Sequence, residues 1–150
     1  LRSDAPLSKL EEAAGAVSEP LYPGIAELIR SLDADGWLLG VATGKSDRGL
    51  NLCLGHHGIH AHFVTLQTAD RHPSKPHPSM LLTAMADAGA APETTVMIGD
   101  TSYDIDMALA AGTRALGVGW GYHAPSDLIA AGAHGVAMDS NELNTHIRAK

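Results

Sequence analysis

The sequence predicts a three-layer α/β/α fold with a parallel β-sheet, Rossmann-like in its architecture. From residue 23 onward, helical patterns alternate with short apolar segments, an order typical of parallel sheets with right-handed crossovers. Two of these segments, "WLLGVAT" and "TVMIG", have little polar alternation, as expected where helices cover both faces of a sheet. A chain of 150 residues that is 45% hydrophobic can bury one ordinary core.

Glycines mark the ends of the predicted helices, because a helix commonly stops at a glycine in the left-handed conformation. The predicted helices span residues 24–34, 46–57, 77–88, 103–111, 125–131 and 141–148. The five glycines that follow helices are Gly36, Gly58, Gly89, Gly112 and Gly132. The predicted strands span residues 37–43, 62–68, 95–99, 114–120 and 134–138.

Two regions are predicted along the chain. Residues 1–20 contain one short helical pattern before Pro20 and Pro23, and we expect a connector or the trailing end of a cap there. Residues 21–150 hold the regular helix–strand alternation and form the predicted core. The sequence carries no signal of an oligomeric state.

Charge and composition narrow the classes of partner. The net charge of -7 disfavours nucleic acid or an anionic membrane as the main partner, since both repel an acidic surface. Cys53 is the single cysteine, so an internal disulfide is excluded, and we expect a buried thiol in a cytoplasmic protein. No apolar run approaches the roughly 18 residues of a membrane span.

Polar side chains follow three of the predicted strands, at the sheet edge where α/β folds bind ligands. Thr43 and Gly44 follow the first strand and precede a helix N-terminus, a place that favours an anion, although a plain capped turn fits as well. Lys75 precedes Pro76 and Pro78 at a helix start. Such a restrained lysine suits a fixed phosphate or carboxylate, although a surface lysine in a proline-rich turn is the alternative.

The segment "VMIGDTSYDID" places three aspartates at the end of the third strand. Asp100 follows the strand directly, and Asp104 can turn back toward it from the first helical turn, whereas Asp106 points elsewhere and is expected in solvent. Two converging carboxylates repel unless a cation joins them, and Mg²⁺ prefers such oxygen ligands together with phosphate oxygens. Helix capping by Asp100 and helix-dipole stabilisation by Asp104 form the alternative.

A hydroxyl, a lysine and a carboxylate pair at successive strand ends together indicate phosphoryl transfer. The segments "VATGK", "SKPHP" and "GDTSYD" resemble the second, third and fourth motifs of the haloacid dehalogenase superfamily of phosphohydrolases, in the same order. The segments "LYPGIAELIRSL" and "AGTRALGVGWGYH" are similar to the phosphoglycolate phosphatase-like branch.

The resemblance implies Mg²⁺-dependent hydrolysis of a small phosphorylated metabolite through an aspartyl-phosphate. By this resemblance Thr43 and the Gly44 amide bind the phosphoryl oxygens, and Lys75 stabilises the nucleophile and the phosphoaspartate. Asp100 holds Mg²⁺, while Asp104 supports the metal through water or orients Lys75.

The first motif of the family, an Asp-x-Asp pair that carries the nucleophile, is not found on a suitable strand. Asp4 has no apolar strand before it, and Asp33 with Asp35 lies at a helix end before the wrong strand. In the family the missing strand lies between the strands that end at Thr43 and Asp100. We therefore expect an upstream segment with this motif and a helical cap, and no turnover by the 150-residue chain alone.

Two classes of function follow. The first is a phosphatase with a phosphoglycolate-like substrate, and a phosphomutase or phosphonate hydrolase is the alternative within the family. The second is a non-catalytic binding or assembly module with a truncated or degenerate fold of this family. The absence of the nucleophile favours the module, whereas the presence of Thr43, Lys75, Asp100 and Asp104 together opposes it.

Two other segments carry functional residue types. His56 and His60 have the spacing of a metal pair, but Gly58 between them should end the helix, so we expect exposed histidines. Trp120, Tyr122 and His123 follow the fourth strand, where they either shape the rim of the site or, in the case of Trp120, pack against a neighbouring helix.

Overall fold

The computed structural model describes residues 22–149, and the predicted connector at residues 1–20 lies outside this part of the chain. Within it, helices and strands alternate as predicted, and their bounds differ from the predicted ones by no more than two residues. The helices are α1 (Ile25–Ala34), α2 (Asp47–His56), α3 (Ser79–Ala88), α4 (Ser102–Ala111), α5 (Pro125–Ala130) and α6 (Ser140–Arg148). The strands are β1 (Leu39–Ala42), β2 (Phe63–Gln67), β3 (Val96–Gly99), β4 (Arg114–Val118) and β5 (Gly135–Ala137).

Within residues 22–149, the five strands form two parallel sheets. β1 pairs with β2, while β3, β4 and β5 pair in that order. Every residue of β1 and of β3 is buried, whereas β2 and β5 are partly exposed. This difference places β1 and β3 on the inner side of their sheets, with no β-ladder between them among the described residues.

Helices cover the sheets on both sides, and the two sheets share both hydrophobic layers. One layer joins apolar residues of α1, α2 and α6 to alternate residues of β1 and β3, such as Val41 and Ile98. The opposite layer joins α3, α4 and α5 to Ala42 and Met97. Neighbouring strand residues thus enter opposite layers, as the period-two geometry of a strand requires. The predicted α/β/α arrangement is confirmed.

Local chemistry explains where the helices begin and end. The side chain of Ser46 accepts a hydrogen bond from the Gly49 amide at the start of α2, which satisfies one otherwise unpaired backbone donor. At the other end of helices, all five glycines predicted to stop them have positive φ angles. In the described part of the chain, no helix is both long and apolar enough to cross a membrane.

Candidate active site

The predicted site residues lie at the carboxyl ends of three strands. Thr43 follows β1, Lys75 lies in the loop between β2 and α3, and Asp100 follows β3. Parallel strands bring their carboxyl ends to one edge. The structure confirms the proximity directly for Lys75, which reaches across to α4.

Lys75 forms an ion pair with Asp104. Its Nζ lies 2.7 Å from Asp104 Oδ1, and the two side chains are 16% and 2% exposed. A pair so shielded from water interacts more strongly than a surface pair, and loss of either partner leaves a buried charge. Of the two roles that the family resemblance implies for Asp104, this contact corresponds to the orientation of Lys75.

Asp104 also caps its own helix. Thr101 donates to Asp104 Oδ2 from its amide at 3.3 Å and from its hydroxyl at 3.0 Å. The Asp104 amide in turn donates to the Thr101 hydroxyl at 3.3 Å. This reciprocal capping box fixes the first turn of α4. Thr101, and not Asp100, is therefore the N-cap of α4, so the capping alternative for Asp100 is wrong.

Asp100 is fully buried and is held by the loop after β4. The Tyr122 amide donates to Asp100 Oδ2 at 3.0 Å, and the His123 amide donates to the Asp100 carbonyl at 3.1 Å. His123 Nδ1 accepts a hydrogen bond from the Ser102 amide at 2.9 Å. The loop therefore holds the Asp100 carboxylate through the Tyr122 amide and the Asp100 backbone through the His123 amide, contacts that sequence analysis did not predict.

Two glycines make room for the two buried carboxylates. A Cβ atom at Gly121 would collide with the carboxyl group of Asp100, and one at Gly99 would collide with that of Asp104. Both glycines have ordinary negative φ angles, so close approach, and not backbone conformation, requires them. The glycine between two aromatic residues in "GWGY" is the sequence signal for Gly121, although the aromatic residues of that segment are its more obvious feature.

Thr43 is fully buried, and its backbone amide donates to the Gln67 carbonyl at 3.0 Å. Its hydroxyl oxygen accepts from the Lys45 amide at 3.0 Å, which leaves the hydroxyl hydrogen available to a ligand. A Cβ atom at Gly44 would meet nothing within 4 Å, so the chain itself does not require glycine there. Thr43 makes no hydrogen bond to Lys75 or to the two aspartates within residues 22–149.

A further ion pair joins the start of α2, just after Thr43, to the loop that carries Lys75. Arg71 Nη1 contacts both carboxylate oxygens of Asp47 at 2.6 Å, and the Thr68 hydroxyl donates to Asp47 Oδ1 at 2.9 Å. The Arg71 hydrogen bond, followed by that of Thr68, lowers the pKa of Asp47. This pair ties the start of α2 to the loop after β2, a link that sequence analysis missed.

Several predictions concern residues away from the strand ends, and those for Asp106 and Cys53 are confirmed. Asp106 is exposed, and Cys53 is buried. Asp33 and Asp35, which the sequence excludes as nucleophiles, pair with His62 and Arg148 respectively. Trp120 stacks on Tyr22 with ring centroids 4.2 Å apart, and both rings pack against the hydrophobic layer formed by α1, α2 and α6 with the strands, in agreement with the packing alternative. The described residues contain no cluster of three or more metal-ligating side chains, the histidines near Gly58 included.

The donor set at the strand end fits a hard divalent cation. The carboxylate of Asp100 supplies oxygen ligands, which Mg²⁺ prefers, and the Tyr122 amide donates a hydrogen bond to it. Asp104 differs, because one of its oxygens contacts Lys75 and the other accepts from Thr101. Of the two predicted metal ligands, Asp104 therefore has both carboxylate oxygens in contact with protein groups, on Lys75 and Thr101.

The sequence profile of haloacid dehalogenase-like (HAD) hydrolases matches residues 7–118. The chain belongs to this family. It is 41% identical over 124 residues to the probable phosphatase IndB of Dickeya dadantii, an alignment that covers 81% of this chain and 52% of that protein. It is 37% identical over 111 residues to the tyrosine-protein kinase PtkA of Mycobacterium tuberculosis, which covers 73% of this chain and 38% of that one.

The fold is also similar to a solved structure of a predicted phosphoglycolate phosphatase from Haemophilus somnus. The TM-score is 0.80 at 25% identity, and the match covers 87% of this chain and 59% of the other. This HAD-family chain therefore spans about half the length of the curated relative IndB and a little over half of that solved structure.

Proposed function

We propose that this HAD-family chain supplies the phosphate-binding and metal-holding part of a Mg²⁺-dependent phosphatase acting on a small phosphorylated metabolite. The observation that carries the proposal is the shielded ion pair between Lys75 and Asp104, together with the buried carboxylate of Asp100 at the end of β3, four positions before Asp104. A lysine that is only 16% exposed at the ligand-binding edge of a sheet suits an anionic substrate. The phosphatase name of IndB supports the same class.

Each residue has a distinct role in this proposal. The Thr43 hydroxyl and the Gly44 amide donate hydrogen bonds to the oxygens of the transferring phosphoryl group. The Lys75 ammonium, held in place by Asp104, neutralises charge that develops on that group. Because these donors are fixed before the substrate binds, they cost little reorganisation during the reaction.

Asp100 is the proposed metal-holding residue. The metal would supply a divalent positive charge that offsets the phosphate charge. The Tyr122 amide and the close approach of Gly121 hold the Asp100 carboxylate in one orientation. Asp104 is assigned to the positioning of Lys75, because both of its oxygens already have partners.

The nucleophile is proposed to lie on a further strand, between β1 and β3. These two strands are buried at every residue and share two hydrophobic layers, yet no ladder joins them in the described part of the chain. Buried strand edges need hydrogen-bond partners. A parallel strand ending in Asp-x-Asp would meet that need and would place an aspartate between Thr43 and Asp100.

The proposed reaction has two steps. A carboxylate oxygen of the strand's first aspartate attacks phosphorus, the bond from phosphorus to the alcohol oxygen breaks, and the second acid protonates the leaving alkoxide. Water then attacks phosphorus, the bond from phosphorus to the aspartate oxygen breaks, and the second residue, now a carboxylate, accepts the proton of the water. Free phosphate leaves, and the nucleophile is again a carboxylate. A phosphoglycolate-like substrate is proposed from the resemblance of the branch and from the description of the Haemophilus somnus protein.

A second candidate is phosphoryl transfer to a protein hydroxyl rather than to water. The 37% identity with the tyrosine-protein kinase PtkA supports it. The same lysine and carboxylates would serve, because both reactions stabilise a transferring phosphoryl group. The acceptor decides between the two functions.

The test uses the full-length protein that contains this chain. Phosphate release from phosphoglycolate and from a chromogenic phosphate ester is measured with Mg²⁺, with EDTA and with Mg²⁺ restored. Release that depends on Mg²⁺ and is lost in Asp100→Asn supports the phosphatase. Transfer from ATP to a tyrosine peptide without ester hydrolysis supports the second candidate. The absence of both activities supports the non-catalytic module.

A further inference from the structure

The loop that carries Lys75, residues 68–78, has no regular secondary structure but is bridged at its base by one histidine. His72 Nε2 lies 2.7 Å from Gln67 Oε1, and its Nδ1 lies 2.6 Å from Ser79 Oγ. Gln67 is the last residue of β2, and Ser79 is the first of α3. The imidazole ring therefore joins the two elements between which the loop runs.

The surroundings of Gln67 determine how the His72 ring is protonated. Gln67 Nε2 donates to Asp87 Oδ2 at 2.9 Å and to Thr65 Oγ1 at 2.8 Å, and the Thr65 hydroxyl donates to Asp87 at 2.9 Å. Because an ionised carboxylate only accepts, the amide nitrogen of Gln67 faces Asp87 and its oxygen faces His72. Nε2 of His72 must then carry a hydrogen.

The second ring nitrogen pairs with Ser79. Because a serine hydroxyl both donates and accepts, the bond between His72 Nδ1 and Ser79 Oγ forms whether or not Nδ1 carries a hydrogen. Thr65 and Gln67 are 4% and 5% exposed, so an unpaired oxygen on Gln67 would be costly. Loss of the His72 ring would remove the partner shown for Gln67 Oε1 and the partner shown for the Ser79 hydroxyl.

Lys75 lies in a tight turn within the bridged loop. The His77 amide donates to the Ser74 carbonyl at 3.2 Å, which places Lys75 in the middle of the turn, three residues after His72. A loop of this length needs such contacts to offset the entropy of ordering it. We propose that His72 is a positioning residue, which holds the loop so that the Lys75 ammonium stays against Asp104.

The first experiment rests on the proposed function and compares three substitutions in the full-length protein. His72→Phe removes both ring hydrogen bonds, His72→Gln can restore the bond to Gln67, and His72→Asn can restore the one to Ser79. We expect His72→Phe to lower kcat on the order of 10–100-fold with little change in KM, because a small misplacement of a charged group is costly. His72→Gln or His72→Asn should recover part of the lost kcat. The control His60→Gln, at the exposed surface, should change neither kcat nor KM.

The dependence on Lys75 separates positioning from general structural support. In a Lys75→Met background, His72→Phe should cause no further loss of kcat, since its effect acts through that lysine. An equal loss in both backgrounds would overturn the proposal. Thermal unfolding of each variant identifies any that does not fold, in which case His72→Asn and His72→Gln provide the comparison.

A second readout does not require activity. The acetylation rate of Lys75 by acetic anhydride is measured by mass spectrometry against a lysine peptide added to the same reaction. Because Lys75 is 16% exposed and paired with Asp104, it should react slowly, and His72→Phe should raise its rate several-fold. An unchanged rate would overturn the inference. If the unmodified protein hydrolyses no phosphate ester, the proposed function fails, and this rate alone decides the role of His72.

Discussion

Lys75 Nζ lies 2.7 Å from Asp104 Oδ1, so the loop after β2 is joined to the first turn of α4. Asp104 uses its other carboxylate oxygen to cap that helix. Asp104 thus both caps the first turn of α4 and holds the lysine. Changes to this contact, or to the packing around it, should therefore affect stability and activity together.

Replacement of Lys75 by Met should destabilise the fold as well as lower kcat/KM strongly, leaving a residual activity that can be measured. The substitution keeps the length of the side chain but leaves the Asp104 carboxylate, 2% exposed, without its cation. We expect the free energy of unfolding to fall by about 2–4 kcal/mol, as measured by urea denaturation.

The control for this prediction is Lys75→Met combined with Asp104→Asn. The asparagine oxygen can still accept from Thr101, and the buried charge is removed, so the double variant should recover much of the lost stability. If the double variant loses as much stability as Lys75→Met and Asp104→Asn lose in sum, the contact does not contribute to stability.

Gly121→Ala should distort the candidate metal site. Its new Cβ atom would collide with the carboxyl group of Asp100, so we expect a loss of about 1–3 kcal/mol in unfolding free energy, together with weaker activation by Mg²⁺. The matched control is Gly55→Ala within α2, where a Cβ atom meets nothing within 4 Å. That substitution should stabilise the protein by about 0.5–1 kcal/mol. Equal effects at the two positions would contradict this account.

The sequence predicted the elements and the residues of the strand ends because both depend on local chemistry. Glycines that stop helices and apolar runs without alternation are visible in the chain, and their positions agree with the structure. The division into two sheets between β1 and β3 agrees with the expectation from the family resemblance, which places a missing strand there, and not with any local pattern in the chain. The Asp47–Arg71 pair and the contact between Tyr122 and Asp100 join residues more than 20 positions apart. Only the tertiary fold brings such residues together.

The Asp47–Arg71 pair predicts a pH-dependent contribution to stability. Its Arg71 partner lowers the pKa of Asp47 below the ordinary value of 3.8, so the folded state binds that proton less readily than the unfolded chain. The contribution is therefore complete above the unfolded pKa and is lost as pH falls through the lowered folded value. The difference in Tm between the unmodified protein and Asp47→Asn should be small, because the Arg71 and Asp47 side chains are 45% and 42% exposed. This difference should stay constant near neutral pH and disappear in acid. A difference that does not change with pH would contradict this assignment.

The proposed strand between β1 and β3 predicts that activity requires residues additional to this 150-residue chain. The 150-residue chain alone should show no turnover, whereas a longer protein that includes an upstream Asp-x-Asp strand should hydrolyse phosphate esters. Replacement of the first aspartate of that pair by Asn should abolish hydrolysis and leave the fold intact by circular dichroism. Robust turnover by the 150-residue chain, lost on Asp100→Asn, would refute the proposed strand.

The most direct test of the central claim is kcat/KM for phosphate ester hydrolysis by the full-length protein, compared with its Asp100→Asn and Lys75→Met variants at saturating Mg²⁺. If these residues form a phosphoryl-transfer site, each variant should lose at least about 10³-fold in kcat/KM while keeping its secondary structure. If both variants stay within about 10-fold of the unmodified protein, the strand-end constellation is not the active site.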